Sequence, residues 1–179
     1  IEYGEGIVLQ QNKKIILKQY WFPENNPFED YIGYWGLKTT SQIPQKPTEI
    51  VKVEMEDFRL PSGDNSIQIE QEFLWQDGDR KILGAFVRSS FLSKGVGLEI
   101  LSDSQPNTCM LDYYLYEPLV PQHIMYREAQ DIFDGDRLSL SCKYDNSSGN
   151  MKQFNDSPQD IQYGYQHNEA LCFVTLYVQ

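Results

Sequence analysis

Short runs of residues that alternate between apolar and polar, separated by turn residues about every 8–12 positions, cover most of this chain. In Ser66–Trp75 the odd-numbered side chains face one way and the even-numbered side chains the other, as in a strand with one face on a core. About ten such strands predict an all-β fold, a β-sandwich or jelly roll. The other expected strands are Gly6–Gln10, Lys14–Trp21, Tyr31–Lys38, Ile50–Phe58, Lys81–Phe91, Gly97–Leu101, Met110–Glu117, Arg137–Tyr144 and Ala170–Val178.

Turn residues separate these runs at defined places. Leu60–Asn65 and Asp77–Asp79 combine glycine with aspartate between strand patterns, so each predicts a turn. Gln42–Thr48 contains two prolines and is interpreted as a linker or a crossing between strands. Glu128–Phe133 is the one stretch with a helical pattern, and we expect a short helix there.

The charge of the chain limits the partners that it can have. Its 26 acidic and 15 basic residues give a net charge of −11, and no run of lysine or arginine interrupts the acidity. Such a surface repels phosphate backbones and anionic lipid, so neither nucleic acid nor a lipid surface is predicted as a partner. No segment has the ~18 consecutive apolar residues that a membrane span requires.

Four segments, in order along the chain, carry motifs of one family. Their sequences resemble Val-His-Tyr, Ile-Pro-Pro-Gly, Pro-Gly-Asp-x-Leu leading to Cys-x-Tyr, and Asp-Glu-Met-Cys. The matching segments are Ile15–Tyr20, Leu60–Gly63, Asp134–Leu138 with Cys142–Asn146, and Asn168–Cys172. The chain thereby resembles the copper type II, ascorbate-dependent monooxygenases, the family of the peptidylglycine and dopamine hydroxylating enzymes.

The resemblance implies a particular domain organisation. Residues 1–45 would be the trailing part of a first jelly-roll domain, and residues 46–179 a second, C-terminal jelly-roll domain. The chain begins at Ile1 without a methionine, so we expect a processed protein or a piece of a longer one.

The same resemblance implies that the copper ligands have been lost. Arg88 and Ser90 stand at the positions of a His-x-His pair, Leu171 stands where the family has methionine, and Gln19 stands where a first-domain strand has histidine. None of these side chains offers the imidazole or thioether donor that cycling between Cu(I) and Cu(II) requires. No histidine occurs before His123, so a shifted alignment does not restore the ligands. The resemblance therefore predicts no catalytic residue, metal or cofactor.

Other residues offer chemistry only in weak combinations. His123 and Met125 would share one strand face, as a half-buried residue beside a core methionine. His167 could serve a cysteine nucleophile at Cys142 or Cys172, and the acidic runs Glu54–Asp57 and Asp131–Asp136 could bind calcium, although the second suits a turn equally well. The sequence contains no serine-nucleophile elbow, phosphate-binding glycine loop or paired zinc motif.

The three cysteines and the glycosylation sequons bear on the compartment. The resemblance implies a disulfide between Cys142 and Cys172 across neighbouring strands, which leaves Cys109 either buried and unpaired or bonded to sequence outside this chain. The sequon at Asn146 lies in a polar loop and predicts an exposed, glycosylated turn; a second sequon at Asn155 is weakened by Pro158. Together these features predict a secreted, extracellular or lumenal protein.

The sequence leaves three functions open. The favoured hypothesis is a non-catalytic structural or interaction module in a larger assembly, contacting other proteins or its own copies. The alternatives are a carbohydrate- or peptide-binding domain in which Arg88 holds a carboxylate, and a copper monooxygenase completed by sequence outside this chain. Candidate contact residues for the first are the tyrosines Tyr113, Tyr114, Tyr116, Tyr163 and Tyr165.

Overall fold

The computed structural model describes residues 5–6, 46–114, 122–153, 157–165 and 169–179. The chain divides into two compact units, Ile1–Thr48 and Glu49–Gln179. In the first unit, strand β1 (Glu5–Gly6) pairs in parallel with β2 (Lys46–Pro47). Residues 7–45 lie outside the described residues, so the strands predicted there are not tested. Gln19 belongs to this part of the chain.

The described part of the second unit is built of strands joined by turns. These strands are β3 (Glu49–Met55), β4 (Arg59–Leu60), β5 (Ile67–Leu74), β6 (Arg80–Ser89), β7 (Ser93–Leu101), β8 (Thr108–Tyr113), β9 (Gln122–Ile132), β10 (Arg137–Tyr144), β11 (Ile161–Gln162) and β12 (Cys172–Val178).

Eight of these strands form two four-stranded antiparallel sheets. Sheet I has the order β5-β10-β7-β8, sheet II has the order β3-β12-β6-β9, and β4 pairs separately with β11. If these eight strands are numbered 1 to 8 in chain order, sheet I has the order 2-7-4-5 and sheet II has the order 1-8-3-6. This is the strand order of a jelly roll, so the predicted all-β jelly-roll sandwich is confirmed.

Because apolar and polar residues alternate, one face of each strand is apolar, and these faces together form a common core. Leu140 of β10, Leu98 of β7 and Leu176 of β12 are each 0% exposed, and they pack in the same hydrophobic cluster between the sheets. Burying a leucine in this way stabilises the fold by about 1.5–3 kcal/mol relative to leaving it in water. The core therefore lies where the alternation of the sequence predicts it.

The helix predicted at Glu128–Phe133 is wrong, because these residues lie mostly within β9. The register of β9 against β6 shifts, so that Tyr126–Ala129 lie opposite the single residue Leu83. A bulged and mainly polar edge strand lacks the two-residue period. Ile132, which is 0% exposed, anchors the end of this strand in the core.

The loops after β3, β6 and β10 lie at one end of the sandwich. The register places Met55 and Ser89 on either side of Cys172 in sheet II, while β10 ends beside the first residues of β5 and β7 in sheet I. Cys142 and Cys172 form a disulfide there. We call this region, with its described segments 56–66, 90–92, 145–153, 157–165 and 169–171, the disulfide end.

Candidate functional site

The structure brings close together, at the disulfide end, three of the four positions at which the sequence resemblance predicts lost copper ligands. The main-chain nitrogen of Ser90 donates to the main-chain oxygen of Leu171 at 3.1 Å. Arg88 lies two residues earlier on β6, opposite Phe173 of β12, and its side chain is exposed. Gln19, the fourth position, lies outside the described residues.

Hydrogen bonds converge on the main-chain oxygen of Leu171. Besides the Ser90 nitrogen, this oxygen accepts from the Ser89 hydroxyl at 2.8 Å and from the Tyr144 hydroxyl at 2.9 Å. The Leu171 side chain is 5% exposed and Tyr144 is 0% exposed. Among the described residues, the Ser90 hydroxyl oxygen is buried without a hydrogen-bond partner. The chemistry of these residues is that of a buried structural junction.

The disulfide between Cys142 and Cys172 is confirmed, with Cα atoms 6.2 Å apart. It does not bridge neighbouring strands as predicted, because β10 belongs to sheet I and β12 to sheet II. It joins the two sheets across the core, where both cysteines are 0% exposed. Neither sulfur is a thiol that could act as a nucleophile, and His167 lies outside the described residues.

The predicted exposure of Asn146 is wrong, since this residue is 0% exposed. Its side-chain nitrogen donates to the main-chain oxygens of Leu60 at 3.2 Å, Pro61 at 2.9 Å and Gln159 at 2.8 Å. Its side-chain oxygen accepts from Gln153 at 2.9 Å. A glycan on this nitrogen would have to break those bonds, so the folded protein presents no acceptor here. Asn155 lies outside the described residues.

His123 and Met125 share the outer face of β9, but Met125 is not a core residue as predicted. It is 42% exposed, and its sulfur covers Gly84 of the neighbouring strand. The His123 ring packs edge-on against Tyr177, with centroids 5.5 Å apart. A glycine at position 84 is required, because a Cβ atom there would lie 2.4 Å from the main-chain oxygen of Ile124.

Several carboxylates of the two acidic runs contact other groups of the protein. A carboxylate oxygen of Asp136 accepts from the Phe133 nitrogen at 2.9 Å, and Asp131 pairs with Lys81 at 2.6 Å. Glu54 pairs with Lys52 and accepts from the Tyr165 hydroxyl. In the part of the chain that the structure describes, no three His, Cys, Asp or Glu side chains are grouped so that they could hold a metal ion.

Cys109 forms no disulfide within this chain and is exposed on edge strand β8, so of its two predicted alternatives the buried, unpaired cysteine is wrong. Partial burial raises the pKa of its thiol, and the nearby carboxylates of Glu99 and Asp112 raise it further. The thiolate fraction is therefore small at neutral pH, which is opposite to the environment of a reactive cysteine.

The candidate contact tyrosines differ in exposure. Tyr114 is 74% exposed and Tyr165 is 55% exposed, whereas Tyr113 and Tyr163 are half-buried, and Tyr116 lies outside the described residues. The Tyr163 and Tyr165 rings contact edge-on at 6.1 Å. The ammonium nitrogen of Lys52 lies 4.8 Å from the centre of the Tyr165 ring, which is within range of a cation–π contact.

One row of residues crosses the outer face of sheet II, the side turned away from the core. The register aligns Ile50, Tyr177, Gly84 and Met125 on four successive strands. Ile50 is 54% exposed at one edge and Met125 is 42% exposed at the other. We call these four residues the apolar row. Ile50 stands at an outward position of the alternation in β3, so this signal was present in the sequence and was missed.

The outer faces of the two sheets differ in charge. Sheet I carries more carboxylates than cations, namely Glu70, Glu72, Glu99 and Asp112 against Arg137 and Lys143. Sheet II carries more cations than carboxylates, namely Lys52, Lys81 and Arg88 against Glu54 and Asp131. The apolar row therefore lies on the less acidic side of an acidic chain.

Comparison with known proteins assigns no family: no protein-family model matches the chain, and no curated protein matches it. Among solved structures, a chain of the "Structure of infectious bursal disease virus Gt strain" is similar over 82% of this chain and 44% of that chain, with 11% sequence identity and a TM-score of 0.34. The present chain thus spans less than half of that chain. A similarity of this size carries no argument about function.

The described residues contain no helix that is long and apolar enough to cross a membrane.

Proposed function

We propose that this domain is a non-catalytic, extracellular structural module, derived from a copper monooxygenase-like jelly roll, that assembles with other copies of its own chain. The apolar row is the observation that carries the proposal. Large apolar side chains exposed at both edges of one sheet face, with Tyr177 between them, are typical of a surface that another protein covers.

Charge favours a second copy as the covering partner. Copies of a chain with a net charge of −11 repel one another at long range, and this repulsion is least where the surface is locally neutral or basic. Sheet II offers such a face, with Lys52 and Arg88 beside the single carboxylate Glu54 at its disulfide end. Two copies can therefore approach through sheet II with less repulsion than through sheet I.

The non-catalytic part of the proposal is supported by the junction at Leu171. The positions that resemble copper ligands contribute a main-chain oxygen that already accepts three protein hydrogen bonds. The buried disulfide follows directly at Cys172. This arrangement stabilises the contact between the sheets, and an inter-sheet disulfide is consistent with an oxidising compartment.

Sedimentation velocity over a range of concentrations tests the assembly. We expect more than one copy in the wild-type particle and a smaller particle for Met125→Glu, because a charge in the apolar row must be desolvated when the face is covered. Met151→Glu is the matched control: Met151 is 101% exposed on a loop, and this variant should assemble like the wild type. A wild-type protein that remains a single copy, and binds a saccharide or peptide beside Arg88, would overturn the proposal in favour of a binding domain.

Copper analysis and oxygen uptake test the absence of catalysis. The purified chain, incubated with copper and ascorbate, should retain no stoichiometric copper after desalting and should consume no oxygen above the protein-free rate. One or more tightly held copper ions with ascorbate-dependent oxygen consumption would contradict the non-catalytic assignment.

A further inference from the structure

The four edge strands of the sandwich are not equally open to pairing. Edge strands present unpaired main-chain N–H and C=O groups, which are a template for another strand. On one side of the sandwich, the registers of β8 and β9 are both interrupted by bulges. The Tyr126 hydroxyl of β9 donates to the main-chain oxygen of Met110 of β8 at 3.1 Å and so links the two edges. The bulges and this hydrogen bond therefore hinder another strand from pairing with β8 or β9.

On the other side, the charges of β5 resist pairing with a second β5. Of the antiparallel registers that keep both core faces on the same side, the two that pair the most residues are centred on Glu70 or on Gln71, and in each of them carboxylates face each other. The first register puts Glu70 opposite Glu70, and the second puts Glu70 opposite Glu72. Like charges directly opposite each other destabilise a strand pair.

Within the part of the chain that the structure describes, strand β3 has neither kind of protection. All seven of its residues pair with β12 without a bulge, and it contains no proline. Val51 and Val53 are β-branched, which suits a strand, and Ile50 is 54% exposed. The charged residues of β3, of the kind that can keep an edge from pairing, are Glu49, Lys52 and Glu54, and Lys52 is the single lysine among them.

A second β3 offers Lys52 a carboxylate partner in another copy of the chain. Two antiparallel copies centred on Val53 place Lys52 of each copy opposite Glu54 of the other on the outer face, which gives two ion pairs by symmetry. The same register places Val51 opposite Met55 on the core side. A register centred on Lys52 would instead oppose two lysines, and one centred on Val51 would form no ion pair.

We propose that two copies of this chain pair through β3, antiparallel and centred on Val53, and thereby join their two copies of sheet II into one continuous eight-stranded sheet. This contact rests on the proposed self-assembly. It uses the edge strand β3, whereas the apolar row lies on the outer face of sheet II. In a single copy, Glu54 already holds Lys52 and the Tyr165 hydroxyl. Pairing exchanges the two ion pairs within the copies, one in each, for two between the copies, and it adds main-chain hydrogen bonds.

Charge reversal tests this register. Lys52→Glu and Glu54→Lys each place like charges opposite, and each should weaken the β3 contact on the order of tenfold. The double variant K52E/E54K restores opposite charges and should pair like the wild type. A mixture of the two single variants should form mixed pairs more tightly than either variant pairs alone. Lys81→Glu makes the same change in net charge as Lys52→Glu, at an exposed lysine of β6, and should have no such effect.

Hydrogen–deuterium exchange of the wild type tests the contact without any substitution. Main-chain amides of β3 should gain protection as the protein concentration rises, and those of β5 should not. The single variants must also unfold at the wild-type temperature, so that weaker pairing is not a folding defect. The β3 contact would be overturned if none of the charge reversals changed the association and if hydrogen–deuterium exchange in β3 did not depend on concentration. Self-assembly through another surface would still stand in that case. A wild type that stays a single copy would overturn both.

Discussion

The side-chain nitrogen of Asn146 lies 2.9 Å from the main-chain oxygen of Pro61, to which it donates a hydrogen bond. With its bonds to the oxygens of Leu60 and Gln159, this one amide ties together three separate segments of the chain. A side chain that the sequence predicts at the surface is therefore part of the interior at the disulfide end.

Replacing Asn146 should destabilise the protein. Asn146→Ala leaves buried main-chain oxygens without a donor, so we expect the free energy of unfolding to fall by about 2–3 kcal/mol in urea titrations. Ser148→Ala is the control, because it destroys the sequon and leaves the amide in place. This control should unfold like the wild type and, after expression through a secretory pathway, should have the same mass apart from the substitution. A loss of glycan mass would show that Asn146 is modified.

Removing the inter-sheet disulfide should have a larger effect. The double variant Cys142→Ala/Cys172→Ala lacks a link that closes a sequence separation of 30 residues, and we expect a loss of about 2–5 kcal/mol in unfolding free energy. Cys109→Ala should change stability by less than about 0.5 kcal/mol, because Cys109 is exposed. Equal stability of the double variant and the wild type would contradict the structural role of the bridge.

The Cys109 thiol should react slowly with alkylating reagents. Burial and the charges of Glu99 and Asp112 raise its pKa, so less thiolate is present at pH 8 than for a cysteine in an unfolded chain. Iodoacetamide labelling of the folded protein should therefore be slower than labelling in urea, with its rate still rising above pH 9. Asp112→Asn removes one negative charge, so it should lower the pKa and speed the reaction. Faster labelling of the folded wild type would contradict this environment.

Tyr126 should make stability fall at alkaline pH. Burial raises its pKa to about 12, and Tyr113 and Cys109 add to the shift. In the unfolded chain the phenol ionises near pH 10, so the folded state binds more protons between about pH 10 and 12. Stability should thus hold below pH 10 and decline as the pH rises through 12. Tyr126→Phe should reduce the slope of that decline, measured by urea unfolding at several pH values, and an unchanged slope would contradict the assignment.

Strands with a complete two-residue alternation were predictable from the sequence. Arg137–Tyr144 was predicted with both of its ends, because one face of this central strand is wholly apolar and the other polar. Strand β9 was mistaken for a helix because Tyr126–Ala129 bulge and break the period. An edge strand has a neighbouring strand on one side only, so its apolar–polar alternation is less strictly required and is weaker.

The disulfide end could not be predicted from local pattern. The burial of Asn146 depends on Leu60, Pro61 and Gln159, and sequence spacing does not show that these segments meet. The sheet assignment of Cys142 and Cys172 likewise depends on the strand order of the jelly roll. Part of the apolar row could have been predicted from the sequence, because Ile50 is an apolar residue on the polar face of its own strand.

The bridge between Cys142 and Cys172 has a consequence for proteolysis. Every peptide bond from residue 145 to residue 171 lies between the two bridged cysteines, so a cleavage anywhere in that span leaves β12 covalently tethered. Strand β12 also remains between β3 and β6, hydrogen-bonded on both sides. A protein nicked there should migrate as one band without reducing agent and as two bands with it, and it should keep its sandwich until a reductant reaches the core.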